Sequence, residues 1–153
     1  MRGFFELQTA ADLFEKLKRD YSRLEQASAD SRIAFDFVVT AWHLCEWKYP
    51  AVTERSDAIS RHPILRVCEH LAVGAKHFEP TSNRHGSVAG MSQRRRGSWA
   101  PGAWAPGVWA KGFWGKQLVV HLDGEARDHF GPSLTVLELA EHVMSAWSNE
   151  FEA

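Results

Sequence analysis

A chain of 153 residues, 44% of them hydrophobic, fits one ordinary domain with a real core and excludes wholesale disorder. A net charge of −1 excludes a global pull towards nucleic acid or an anionic membrane. Two cysteines, Cys45 and Cys68, stand in neither C-x-x-C nor Cys/His zinc spacing, which excludes a disulfide scaffold and reads as reduced core thiols.

The N-terminal M-R-G-F-F-E-L-Q meets Glu6, then Asp12, before the apolar core of a leader could form, and no run of about 18 apolar residues follows. A cytoplasmic protein without membrane contact is expected. Helix one is predicted over about 10–27. Thr9 is its N-cap with Asp12 three residues on, and Leu13, Phe14, Leu17, Tyr21 and Leu24 form its apolar face. Helix two is predicted over 31–48, capped by Asp30 or Ser31 and stopped by Pro50. It is apolar nearly all round, except that Asp36, Thr40, His43 and Trp47 form one polar stripe with Glu46 beside it. Residues 50–61 read as a polar connection.

Helix three is predicted from Pro63 to about Phe78, with Arg66, His70, Val73 and His77 as a second stripe. Residues 79–98 read as a loop. An internal repeat follows, in which Gly97, Gly102, Gly107 and Gly112 begin four pentads and Trp99, Trp104, Trp109 and Trp114 recur every five residues. Period five suits neither a helix nor a flat strand, so the segment reads as serial turns or an extended Trp-studded loop. Residues 117–122 read as a strand, Asp123-Gly124 as a tight turn and 125–130 as the returning arm of a hairpin. The last helix starts at Ser133 or Thr135; Thr135 and Glu138 make a capping box, and Trp147 falls on its apolar face. The expected fold class is mainly α. One domain over 1–153 holds a four-helix bundle, with a Gly/Trp-rich insertion at 79–131 and a small β-hairpin before the last helix.

Chemistry has two candidate locations. If helices two and three are antiparallel neighbours, Asp36 approaches Lys76 and His77, while His43 and Glu46 approach Arg66 and His70. Carboxylate–imidazole pairs of this kind serve general acid–base catalysis; the alternative is a satisfied polar network that fixes helix register. At the least, His43 or Glu46 should reach a polar residue of helix three. The same histidines and acids are metal-ligand types, but there is no H-E-x-x-H, and His43-Leu44-Cys45-Glu46 reverses the E-x-x-H order of di-iron sites. No metal or other cofactor is expected. The second location is the tryptophan ladder, preceded by Arg94, Arg95 and Arg96, with Lys111 within it and Lys116 after it. Cations interleaved with aromatics can bind single-stranded nucleic acid; packing or contact with a protein partner is the alternative.

The segments A-W-H-L-C-E-W and L-A-V-G-A-K-H-F, with a later strand, a D-G pair and L-E-L-A-E-H-V-M-S-A-W, resemble a scattered group of short bacterial proteins of unassigned function. The resemblance implies a bacterial or phage source and a helical fold, and no activity. The helical pattern is also similar to HEPN-type domains, which include metal-independent ribonucleases with a signature of Arg, four to six residues, then His. Arg66 and His70 are separated by three residues and Arg61 and His70 by eight, so neither pair fits.

Two readings of function follow. The first is a non-catalytic helical module that binds a protein partner or self-associates through the Trp-rich insertion. The second is a ribonuclease-like or other hydrolytic protein using Arg66, His70 and His77 with Asp36 or Glu46.

Overall fold

The computed structural model describes residues 3–77, 86–96 and 115–152. The chain is mainly helical. α1 spans Ala10–Gln26 and opens on the expected capping box, in which the Thr9 hydroxyl accepts the Asp12 N–H and the Asp12 carboxylate accepts the Thr9 N–H. α2 spans Ser31–Lys48; its cap is Asp30, which accepts the Arg32 N–H at 2.9 Å. α4 spans Ile64–His77 and α6 spans Val136–Glu152. α6 carries the Thr135–Glu138 box, with Glu138 accepting the Thr135 N–H at 2.7 Å.

The connections hold more structure than their sequences advertise. Residues read as a polar linker form α3, Val52–Arg61. The Glu54 carboxylate accepts the Ala51 N–H at 3.2 Å and starts it, and α3 buries only Ala58 and Ile59. The insertion opens with a strand, β1 (Val88–Arg96), paired antiparallel with β2 (Gly115–Leu122). The expected hairpin after β2 does not form. Asp123 instead caps a short helix, α5 (Gly124–Phe130), which Gly131 ends at φ +84°, a conformation suited to glycine. β3 (Ser133–Thr135) then returns to pair with β2, giving the sheet order β1-β2-β3. Asp-Gly thus acts here as a helix start.

α1 packs along α2, α2 along α4, and α6 touches all three. Their shared core includes Leu17 and Leu24 of α1, Phe37 and Leu44 of α2, Leu65 and Val67 of α4, and Leu139, Val143 and Trp147 of α6. Val120 and Leu122 join it from the sheet. Cys45 and Cys68 are free and buried, and burial pushes both thiols up to about 12, so both stay protonated and inert.

Candidate functional site

Among the described residues, the polar stripe of α2 does not turn towards that of α4. The start of α2 does lie beside the end of α4, and there Ala34, Val38, Leu71, Gly74 and Ala75 line a common groove. Small apolar side chains let two helices approach without the desolvation cost that a charged stripe would carry, and that preference decides which face is buried. The stripe of Asp36, Thr40 and His43 turns towards α1 instead. Arg23 of α1 approaches Asp36 at 3.7 Å. Thr40 is buried and donates to the Asp20 carboxylate at 3.0 Å, and Lys16 pairs with Asp20 and donates to Thr40 at 2.8 Å. Asp20, only 4% exposed, therefore pins α1 to α2. His43 is exposed and shares with Asp36 a groove of about 300 Å³ walled by Phe4, Phe35 and Trp47. Glu46 is exposed as well.

The α4 residues are engaged elsewhere. Arg66 pairs with Glu69 at 2.5 Å. His70 Nδ1 accepts the Val88 N–H at 3.2 Å and lies 3.3 Å from the Ser87 hydroxyl, so His70 fastens the start of β1 to α4. That bond requires an unprotonated Nδ1. His77 ends α4, with its side chain outside the described residues. The acid, base and imidazole groups expected to gather between helices two and three thus divide between two faces. Among the described residues, no three His, Cys, Asp or Glu converge as a metal-binding group.

The sheet side holds the larger feature. β3 pairs with β2 only at Val119, Val120 and His121. The β1–β2 ribbon runs four rungs further, from the Gln93–Leu118 pair to the Arg96–Gly115 pair. This arm bears Arg94 opposite Gln117, Arg95 opposite Lys116, and Arg96 at its described end. Arg94 and Lys116 are exposed; the side chains of Arg95 and Arg96 lie outside the described residues, as do Trp99, Trp104, Trp109 and Trp114. At the base of the arm, a groove of about 720 Å³ opens between α2, α4 and the ribbon, lined by Val38, His70, Leu71, Met91 and Val120. Its walls are largely apolar, and Met91 is 73% exposed beside it.

A further cluster was not legible in the sequence. The Glu150 carboxylate of α6 accepts from Tyr49 Oη, from Arg61 at 2.9 Å and from His62 Nε2 at 2.9 Å. It draws on four positions from three separate segments, so no local motif signals it. Burial alone would raise the Glu150 carboxyl, but its three hydrogen bonds outweigh burial and hold it below the usual carboxylate range. Burial, then Glu150 itself, push the Tyr49 phenol up to about 12. The cluster clamps the end of α2, the end of α3 and α6 together, at the other end of α2 from the large groove. The chain matches no family model, no curated protein and no solved structure.

Proposed function

We propose that this chain is a non-catalytic binding module, a bundle of α1, α2, α4 and α6 that makes its contacts through the β1–β2 arm. One observation carries the reading: the ribbon continues four rungs past the last residue that β3 pairs with, and exposure rises along β2 from buried Val119 to exposed Lys116 and Gly115. A long outer strand is an aggregation liability unless it is guarded or used, and arginines on β1 guard it. The two strands bracket in sequence the four tryptophans of the pentads, and tryptophan is among the residues that dominate contact energetics. The dispersal of Asp36, His43, Arg66 and His70 over two faces supports contact over turnover.

The test is sedimentation velocity on the chain and on a variant with Trp99, Trp104, Trp109 and Trp114 all replaced by Ser. The variant should keep its helical signal, because α1, α2, α4 and α6 share a core of their own residues, Leu17, Phe37, Leu65 and Trp147 among them. It should sediment as a smaller species than the parent, with little dependence on salt. A parent that is already a monomer in the absence of any partner, with a variant that behaves identically, would contradict self-association through this element.

A further inference from the structure

We infer that the basic rungs of the arm bind the phosphate backbone of a nucleic acid. This rests on the reading of the arm as the contact element and names its partner. β1 reads V-A-G-M-S-Q-R-R-R and β2 reads G-K-Q-L-V-V-H-L. The ribbon therefore carries three Arg and one Lys and no carboxylate, in a chain whose net charge is −1 and whose Asp and Glu number 19. Every acid lies elsewhere, so this one element carries basic charge without any acidic partner of its own.

The register sharpens the point. Arg95 stands directly opposite Lys116, and Arg94 and Arg96 occupy the adjoining rungs. Like charges directly opposite one another destabilise a strand pair. Neither strand supplies a counter-charge, so a polyanion laid along the arm relieves a repulsion that the ribbon itself does not. Geometry favours nucleic acid over an acidic peptide. Same-face positions on one strand step about 6.8 Å, the axial rise of two nucleotides along one strand of a duplex, so Arg94 and Arg96 share one face of the ribbon and Arg95 shares the other with Lys116. A two-stranded ribbon also fits the duplex major groove. Carboxylates on a flexible peptide hold no such fixed repeat. Gln93 adds a hydrogen-bonding residue on the same ribbon.

The test is fluorescence anisotropy of one short labelled oligonucleotide, as a single strand and as a duplex, titrated with the full chain over a range of salt. Two cations from one face, or all four from both, predict that log affinity falls against log salt with a slope of about −1.4 to −2.8 for single strands or about −1.8 to −3.6 for duplex, so affinity drops about 7- to 150-fold between 50 and 200 mM salt. Replacing Arg94, Arg95 and Arg96 together with Gln should reduce the slope to about −1 or shallower. That variant should melt with the parent, because its substitutions lie beyond the rungs shared with β3. The duplex and single-strand arms distinguish groove insertion from a stacked single strand. No binding of either oligonucleotide at low salt would overturn the proposal, as would a slope that the triple substitution leaves unchanged. A polyglutamate peptide that competes equally with both oligonucleotides would overturn the nucleic-acid partner while leaving the arm as a contact element. Sedimentation of the tryptophan variant reports on that element independently.

Discussion

Trp147→Ala should lower the stability of this protein by about 3–5 kcal/mol, the usual cost of deleting a buried aromatic side chain. Trp147 has no exposed surface and lies at the meeting point of three elements. Its ring stacks 6.5 Å from that of Tyr49 at the end of α2, and lies 6.2 Å from Phe151, which in turn stacks 4.5 Å from Phe14 of α1. Truncation leaves a void that these rings cannot all collapse into. Among the described residues the indole N–H meets no hydrogen-bond acceptor, and Trp147→Phe keeps an aromatic ring in the site, so it should cost distinctly less than the alanine variant. Urea denaturation of the parent and both variants measures the difference. An unchanged midpoint for the alanine variant would show that the residue is not in the core.

The second large effect concerns Glu150. Glu150→Gln weakens bonds from Tyr49, Arg61 and His62 at once, and should cost about 1–3 kcal/mol at neutral pH. The pH dependence carries a signature. The native carboxyl of Glu150 is held below its ordinary value, so its stabilisation is fully present above the unfolded carboxylate pKa of about 4.3. It is lost as pH falls through the lower native value. The difference in stability between parent and Glu150→Gln should therefore be constant from neutral pH down to about 5 and shrink below that. A difference that stays the same down to pH 3 would mean that the carboxylate charge contributes nothing to the clamp. At the alkaline end the Tyr49 hydroxyl, pushed up to about 12, keeps donating beyond the range of an ordinary phenol.

The four long helices were legible because each signals itself locally. Thr9 with Asp12 and Thr135 with Glu138 mark two starts, Asp30 a third, and apolar spacing does the rest. α3 was not legible because two buried residues, Ala58 and Ile59, make too faint a period. β1 was missed because Gly90 and a run of polar residues break alternation, and its pairing to β2 is specified only by a partner beyond the Trp pentads. Asp123-Gly124 carries the same local signal for a turn and for a helix start, and only the return of β3 to β2 decides between them.

The candidate site divided in the same way. The presence of Arg94, Arg95 and Arg96 was plain in the sequence, but their opposition to Lys116 is a matter of register, which a single sequence does not fix. The polar stripe of α2 was expected to face α4, yet Asp36 and Thr40 find their partners on α1. Helical spacing says which residues share a face; it does not say which face a neighbour covers, and Ala34 and Val38 offered α4 the cheaper surface.

The arm can be tested by removing it. Replacing residues 94–117 with Asn-Gly closes the ribbon on the Gln93–Leu118 rung with a two-residue turn and leaves every rung shared with β3 in place. The shortened chain should melt cooperatively within a few degrees of the parent, since a surface change of about 0.5 kcal/mol moves the midpoint of a domain this size by about 1–2 °C. It should also lose both self-association and binding to either oligonucleotide. A shortened chain that still assembles or binds as the parent does would place the contacts elsewhere on the molecule, and one that no longer folds would make the arm part of the core.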